Sequence, residues 1–213
     1  MNMNMKGLTL VELLISIAIV GLIAVVVYLY TLSSHRAFLV GRAKARSQEN
    51  AREAIELMVR EIRHAGFRNW SVQANPFHRF DLAYNNTIRC QADLNMNNQT
   101  ADSAGEDITY RLLSIPNRST NIIERLDQFF GIWETVADNI EWLNFSYFDG
   151  NYNIIPINES LGNRWRANDS IRVVRVNLRA TERGFRIPVG ENVTTGITLE
   201  VDIPLRNTFY DSR

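Results

Sequence analysis

Residues 13–32 read LLISIAIVGLIAVVVYLYTL, a run that contains no charged side chain. A helix that crosses about 30 Å of hydrocarbon needs about 20 such residues, so the run predicts one membrane-spanning helix. Ser16, Gly21 and Thr31 are tolerated within it, because a helix satisfies its own backbone in lipid. A secretory signal peptide is the first alternative. Its apolar region is shorter, about 7–15 residues, and it ends at a small-x-small cleavage site. The exit here, Thr31-Leu32-Ser33-Ser34-His35-Arg36, makes a poor one. Lys6 stands almost alone before the span, whereas Arg36, Arg42, Lys44 and Arg46 follow it. By the positive-inside rule alone, the rest of the chain would face the cytoplasm. The anchor itself therefore predicts a single crossing and leaves its side open.

The remaining composition suits one ordinary domain beside that anchor: 46% of the 213 residues are hydrophobic and 22% charged. Basic and acidic residues balance at 23 each, so nothing favours nucleic acid or an acidic lipid surface as a partner. Cys90 is the sole cysteine and closes no intramolecular disulfide. It is expected to be a buried free thiol.

Immediately ahead of the apolar run stands Lys6-Gly7-Leu8-Thr9-Leu10-Val11-Glu12. This heptapeptide resembles the type III signal of type IV prepilins. The resemblance implies that a prepilin peptidase cuts between Gly7 and Leu8 and methylates the new N-terminus, leaving residues 1–7 as the leader. Leu8 departs from the family's usual phenylalanine. Glu12 has a physical reading of its own, because a carboxylate deep in a bilayer costs about 2.5–3.5 kcal/mol and less near a helix start. Either it reaches the headgroups at the positive end of the helix dipole, or it pairs with another charge. The resemblance implies the second, with Glu12 meeting the free α-ammonium of an adjacent subunit during assembly. Such a pairing offsets the desolvation of both charges and specifies register.

The helical pattern continues past the span. Ala51, Ile55, Met58, Ile62 and Ala65 recur at steps of four and three, which predicts an amphipathic half packed on something apolar. Glu56 and Arg60 are spaced for a favourable i,i+4 pair. Gly66 follows as a stop signal. One helix over residues 9–65 would be about 85 Å long, with Gly41 as a place to bend.

After Gly66 the texture changes to short alternating runs. Leu143, Phe145 and Tyr147 face one way, as do Val174, Val176 and Leu178, and Ile197, Leu199, Val201, Ile203 and Leu205. Ile108, Tyr110 and Leu112 add a strand, residues 122–126 another, and Asp149-Gly150 a turn. The expected fold class is α+β: a long helical spine, transmembrane in its first half, against an antiparallel sheet with one face on the helix and one in water. The expected divisions are a leader at 1–7, the transmembrane half at 8–32, the amphipathic half at 33–66 and the sheet domain at 67–213.

The sheet region also resembles the PilW and PulJ class of minor pilins and pseudopilins. The resemblance lies in the amphipathic stretch 51–66, in Asp107-Ile108-Thr109-Tyr110-Arg111, in Val136-Ala137-Asp138-Asn139-Ile140 ahead of an aromatic strand, and in Pro204-Leu205-Arg206-Asn207. It implies a minor pilin of a type IV pilus that helps to initiate or cap the filament, in the setting of adhesion and twitching motility. The implied partners are the prepilin peptidase, other minor and major pilins, and the inner-membrane assembly platform. The implied location is the bacterial inner membrane with the sheet domain in the periplasm, then the cell surface. A type II secretion pseudopilin of the PulJ kind, and a monomeric signal-anchored periplasmic binding protein, are the alternatives.

No catalytic residue, cofactor or metal site is expected. His35, His64 and His78 fall apart, without HExxH or CxxC spacing. Asp93, Asn95 and Asn97 echo the start of a calcium loop, but Asn98 stands where glycine is wanted and Ala104 where the closing glutamate belongs. A solvated polar loop over residues 91–106 is expected instead. Trp133, Trp142, Phe145, Tyr147 and Phe148 are assigned to the core beneath the helix.

Overall fold

A computed structural model describes residues 9–67, 79–97, 99–116, 120–156, 170–186 and 192–206. A single helix, α1, runs over Leu10–Ile62, 53 residues or about 80 Å at about 1.5 Å per residue. Thr9 caps its start. It passes unbroken through Gly41, where the sequence allowed a bend. Seven strands follow: β1 (Phe80–Ala83), β2 (Thr87–Gln91), β3 (Asp107–Leu113), β4 (Asn121–Asp127), β5 (Ile132–Phe148), β6 (Val173–Arg186) and β7 (Asn192–Pro204). They form one antiparallel sheet in chain order from β1 to β7, so each strand pairs with its sequence neighbours. The fold is the α+β arrangement that the sequence predicts.

The long strand β5 divides the sheet into two ladders. Its first half, 132–140, takes β4; its second half, 140–148, takes β6. Register slips where the ladders meet, between Ile140 and Trp142 and opposite Asn121, and Asn139 adopts a φ of 55°. Such irregularities bend a strand and increase its twist. The helix packs on β5, β6 and β7, and its last turns also reach β3 and β4.

The predicted face of α1 is buried throughout: Ala51, Met58 and Ile62 are fully covered and Ile55 nearly so. Ala43, Ser47 and Ala54 extend the stripe. Small side chains at 43, 47, 51 and 54 let the helix backbone approach the sheet closely, after which Met58 and Ile62 fill the wider space beside Phe80 and Tyr110. From the sheet come Leu143, Phe145 and Tyr147 on β5 and Val174, Val176 and Leu178 on β6, all buried in the alternation that period two requires. On β7 the alternation is present but its cover is not: Ile203 is buried, whereas Ile197, Leu199 and Val201 are only partly so.

Four expectations need correction. Phe145, Tyr147 and Phe148 are core residues, but Trp133 and Trp142 are only half-buried. Trp133 instead lies under the guanidinium of Arg111 at 3.6 Å, because its position in β5 points away from the helix. The hairpin of β1 and β2 was not foreseen; β1 is only four residues long and carries too little alternation to register. The segment 136–140 belongs to β5 itself rather than preceding it. Residues 91–106 are not simply solvated, since Gln91 ends β2 and both Asp93 and Glu106 are fully buried.

Candidate functional site

Of the residues singled out by the sequence, Glu12 lies within the described part, whereas Gly7 and Leu8 lie outside it. Glu12 sits in the first turn of α1 and forms a capping box with Thr9. One carboxylate oxygen, Oε2, accepts from the Thr9 backbone N–H and from its hydroxyl, each at 2.9 Å, while the Glu12 N–H donates to Thr9 Oγ1 at 3.3 Å. Two backbone donors that a helix start otherwise leaves orphaned are thereby satisfied. The Thr-x-x-Glu spacing that signals this box was present in the sequence at residues 9–12, yet the reading of Glu12 as a charge in lipid missed it.

The capping box fixes where the apolar rod begins. From Leu10 to Tyr30 every large apolar side chain is more than half exposed within the chain, and the whole span is unburied. Ser16 and Thr31 return their hydroxyls to the carbonyls of Glu12 and Val27 at 2.8 Å, which spares the surroundings two polar groups. Lipid or other apolar helices must cover this surface, because exposing it to water forfeits roughly 25 cal/mol per Å². Glu12 thus stands at the edge of an apolar cylinder with Oε2 engaged by Thr9.

The loop of residues 92–106 was the other candidate. Asp93 Oδ1 accepts from the Asn97 N–H at 2.9 Å. The acid that closes the loop is Glu106, not a residue at 104: its two oxygens take the N–H groups of Leu94, Asn95 and Ser103 at 3.0–3.1 Å. Burial and a hydrogen bond with Asp102 push the Glu106 carboxyl above its ordinary value. Among the described residues no group of three or more His, Cys, Asp and Glu side chains is placed to hold a metal ion. The loop's acids thus close it on its own backbone, and its backbone ties it to its neighbours: the Gly105 N–H donates to Asp127 Oδ2 on β4 at 2.9 Å and the Asp93 N–H to the carbonyl of Phe67, just past α1, at 2.7 Å.

Cys90 is buried on β2, and burial, followed by the nearby Glu61 and Asp107 charges, raises its thiol well above the usual range. His35 and His64, the two histidines in the described part, lie on α1 and just past its end, about 29 residues apart along the chain.

No curated protein matches the chain. Residues 2–28 match the family model described as the prokaryotic N-terminal methylation motif. That motif implies processing by a prepilin peptidase and assembly with other pilins. Taken with the long apolar helix and the antiparallel sheet that follows it, the match marks the chain as a type IV pilin-like, membrane-anchored protein.

Proposed function

We propose that the protein is a non-catalytic minor pilin of the PilW and PulJ class, which helps to initiate or cap a type IV pilus. The observation that carries this reading is the uncovered apolar half of α1, which begins directly at the Thr9–Glu12 capping box, inside the methylation motif matched over residues 2–28. In this reading residues 1–7 are removed, residues 8–32 hold the subunit first in the inner membrane and then in the filament, residues 33–66 carry the sheet, and residues 67–213 form the periplasmic and later surface-exposed domain. Glu12 Oε1, which accepts no hydrogen bond from the described residues, takes the α-ammonium of Leu8 in a neighbouring subunit while Oε2 keeps its bonds to Thr9. The capping box then orients the acid before its partner arrives.

Mass spectrometry of the mature protein tests the reading. A chain that starts at Leu8 and carries one added methyl group is expected. A chain that still starts at Met1, or one cut near Ser34, would eliminate it. Glu12→Ala is expected to leave processing intact and to abolish cross-linking to other pilins. Unchanged cross-linking would favour a solitary anchored protein instead. Deletion separates the two filament systems: loss of surface pili supports the minor pilin, and loss of protein secretion supports the pseudopilin.

A further inference from the structure

Strand β7 ends the sheet. Its inner edge is paired with β6, and no described residue pairs with its outer edge. Above that edge α1 overhangs, and the two leave a groove between them that is continuous along the helix. One part, about 530 Å³, is bordered by Glu49 and Glu53 on the helix and by Ile197 and Leu199 on β7. The next, about 500 Å³, has Ile55, Val59, Leu199 and Val201 along its floor. The partial cover of Ile197, Leu199 and Val201 is the consequence: the helix reaches over them but does not fill the space beside them.

Charge is graded along this groove: Glu49, Glu53 and Glu56 outnumber Arg52 at one end, and Arg52, Arg60, Arg63 and Arg206 outnumber Glu56 and Glu200 at the other. These three arginines form no ion pair among the described residues, and the expected Glu56–Arg60 pair is not closed. The Nε–H of Arg63 is buried without a hydrogen-bond acceptor, which folded proteins seldom tolerate. Between Glu49 and Arg63 lie about 21 Å of helix, the length of about six residues of extended chain. The running direction of β7, from Ile197 beside Glu49 to Arg206 beside Arg63, means that an antiparallel neighbour would enter at the arginine end.

We propose that the groove between α1 and β7 is a docking site for an extended segment of a partner protein, added antiparallel to β7 as an eighth strand, acidic where it enters and basic where it leaves. Main-chain bonds to the free edge supply the affinity, the apolar floor takes alternate side chains, and the ordered charges set direction. An acidic side chain at the entry meets the exposed guanidinium groups of Arg60 and Arg206. The site is independent of the filament reading, since a solitary anchored protein would carry the same groove.

Fluorescence anisotropy on the full chain in detergent micelles tests this, with the labelled peptide glutamate-valine-threonine-valine-threonine-lysine as probe. Saturable binding is expected, weakened at least about tenfold when the terminal charges are exchanged. Only one of the two alternate sets of peptide nitrogens can face β7, so methylating one set should abolish binding and methylating the other should spare it. The double variant Arg60→Glu with Arg206→Glu, both outside the buried core, should lose the probe while keeping the wild-type circular dichroism. Four results would overturn the proposal: no saturable binding, equal binding of both charge orders, equal effects of the two methylation sets, or displacement of the probe by phosphatidylserine vesicles. Tight binding only by a chain that ends at Arg206 would likewise overturn it, by showing that the chain's own last residues occupy the groove. Conversion of a dimer to a monomer by the double variant would do so in favour of a second copy.

Discussion

The carboxylate of Glu61, in the last turn of α1, receives the Nε–H of Arg125 on β4 at 3.0 Å and its terminal N–H at 2.9 Å, a two-pronged bond between elements 64 residues apart. Both side chains are 14% exposed. Tyr110 donates its hydroxyl to the same carboxylate, and Arg125 also approaches Asp127 at 3.4 Å. Burial opposes the Arg125 charge, but the bond and attraction to Glu61 outweigh it and raise its basicity, while burial holds the Tyr110 phenol far above its ordinary range. The network clamps the end of the helix onto the β1–β4 ladder, whereas the apolar stripe fixes it to the β5–β7 ladder.

Removing one partner strands the other. Glu61→Ala leaves a guanidinium and a phenol without their shared acceptor and is expected to lower stability by about 2–3 kcal/mol. Replacing both charged residues, Glu61→Met with Arg125→Met, is expected to cost less than the single change. Urea unfolding followed by tryptophan fluorescence measures both, and additive losses would show that the pair is not coupled.

Gly66 and Gly41 should respond to alanine in opposite senses. Gly66 has a φ of +81°, and a Cβ there would stand 2.4 Å from Arg79 Cγ. Arg79 cannot retreat freely, being buried and bonded to the Ile171 carbonyl. Gly66→Ala is therefore expected to destabilise by about 1–3 kcal/mol. Gly41 lies mid-helix with nothing within 4 Å of an added Cβ, so Gly41→Ala is expected to stabilise by about 0.5–1 kcal/mol. Thermal melts of the two variants, monitored by circular dichroism, should move apart.

Burial makes Cys90 inert. Its raised thiol is expected to resist Ellman's reagent at about pH 8 in the folded chain and to react fully once urea unfolds it. Rapid modification of the native protein would contradict the burial of Cys90 on β2.

The Arg175–Asp202 pair across β6 and β7 predicts an acid dependence. Hydrogen bonds from Arg175, at 2.6 and 3.0 Å, hold the Asp202 carboxyl below its ordinary value. A lowered folded-state value means that the unfolded chain takes up the proton first as pH falls. The pair's contribution is therefore complete above about pH 4 and disappears as pH drops through the folded value. Both side chains are one-third exposed, so solvent screening limits it to less than about 1 kcal/mol. Asp202→Asn should be less stable than wild type by a constant amount down to about pH 4, and the gap should close below that. A gap that widens in acid would refute the assignment.

What the sequence determined by itself was everything that depends on a short period. An uncharged run at 13–32 dictates a membrane-length helix, steps of three and four from Ala51 to Ile62 dictate which side of it is buried, and alternation at 143–147, 174–178 and 197–205 dictates strands with a helix-facing side. Neighbouring residues decide these features, because backbone geometry repeats every few positions. The Thr9–Glu12 box was equally local and could have been read. The tertiary structure alone decided the rest: β5 serving two ladders, Glu61 meeting Arg125, Trp133 turning outward to Arg111, and β7 standing at the end of the described sheet beside α1. Each of these turns on which distant strand lies alongside which, and that is settled by the competition of whole faces for burial, not by the residues next in line.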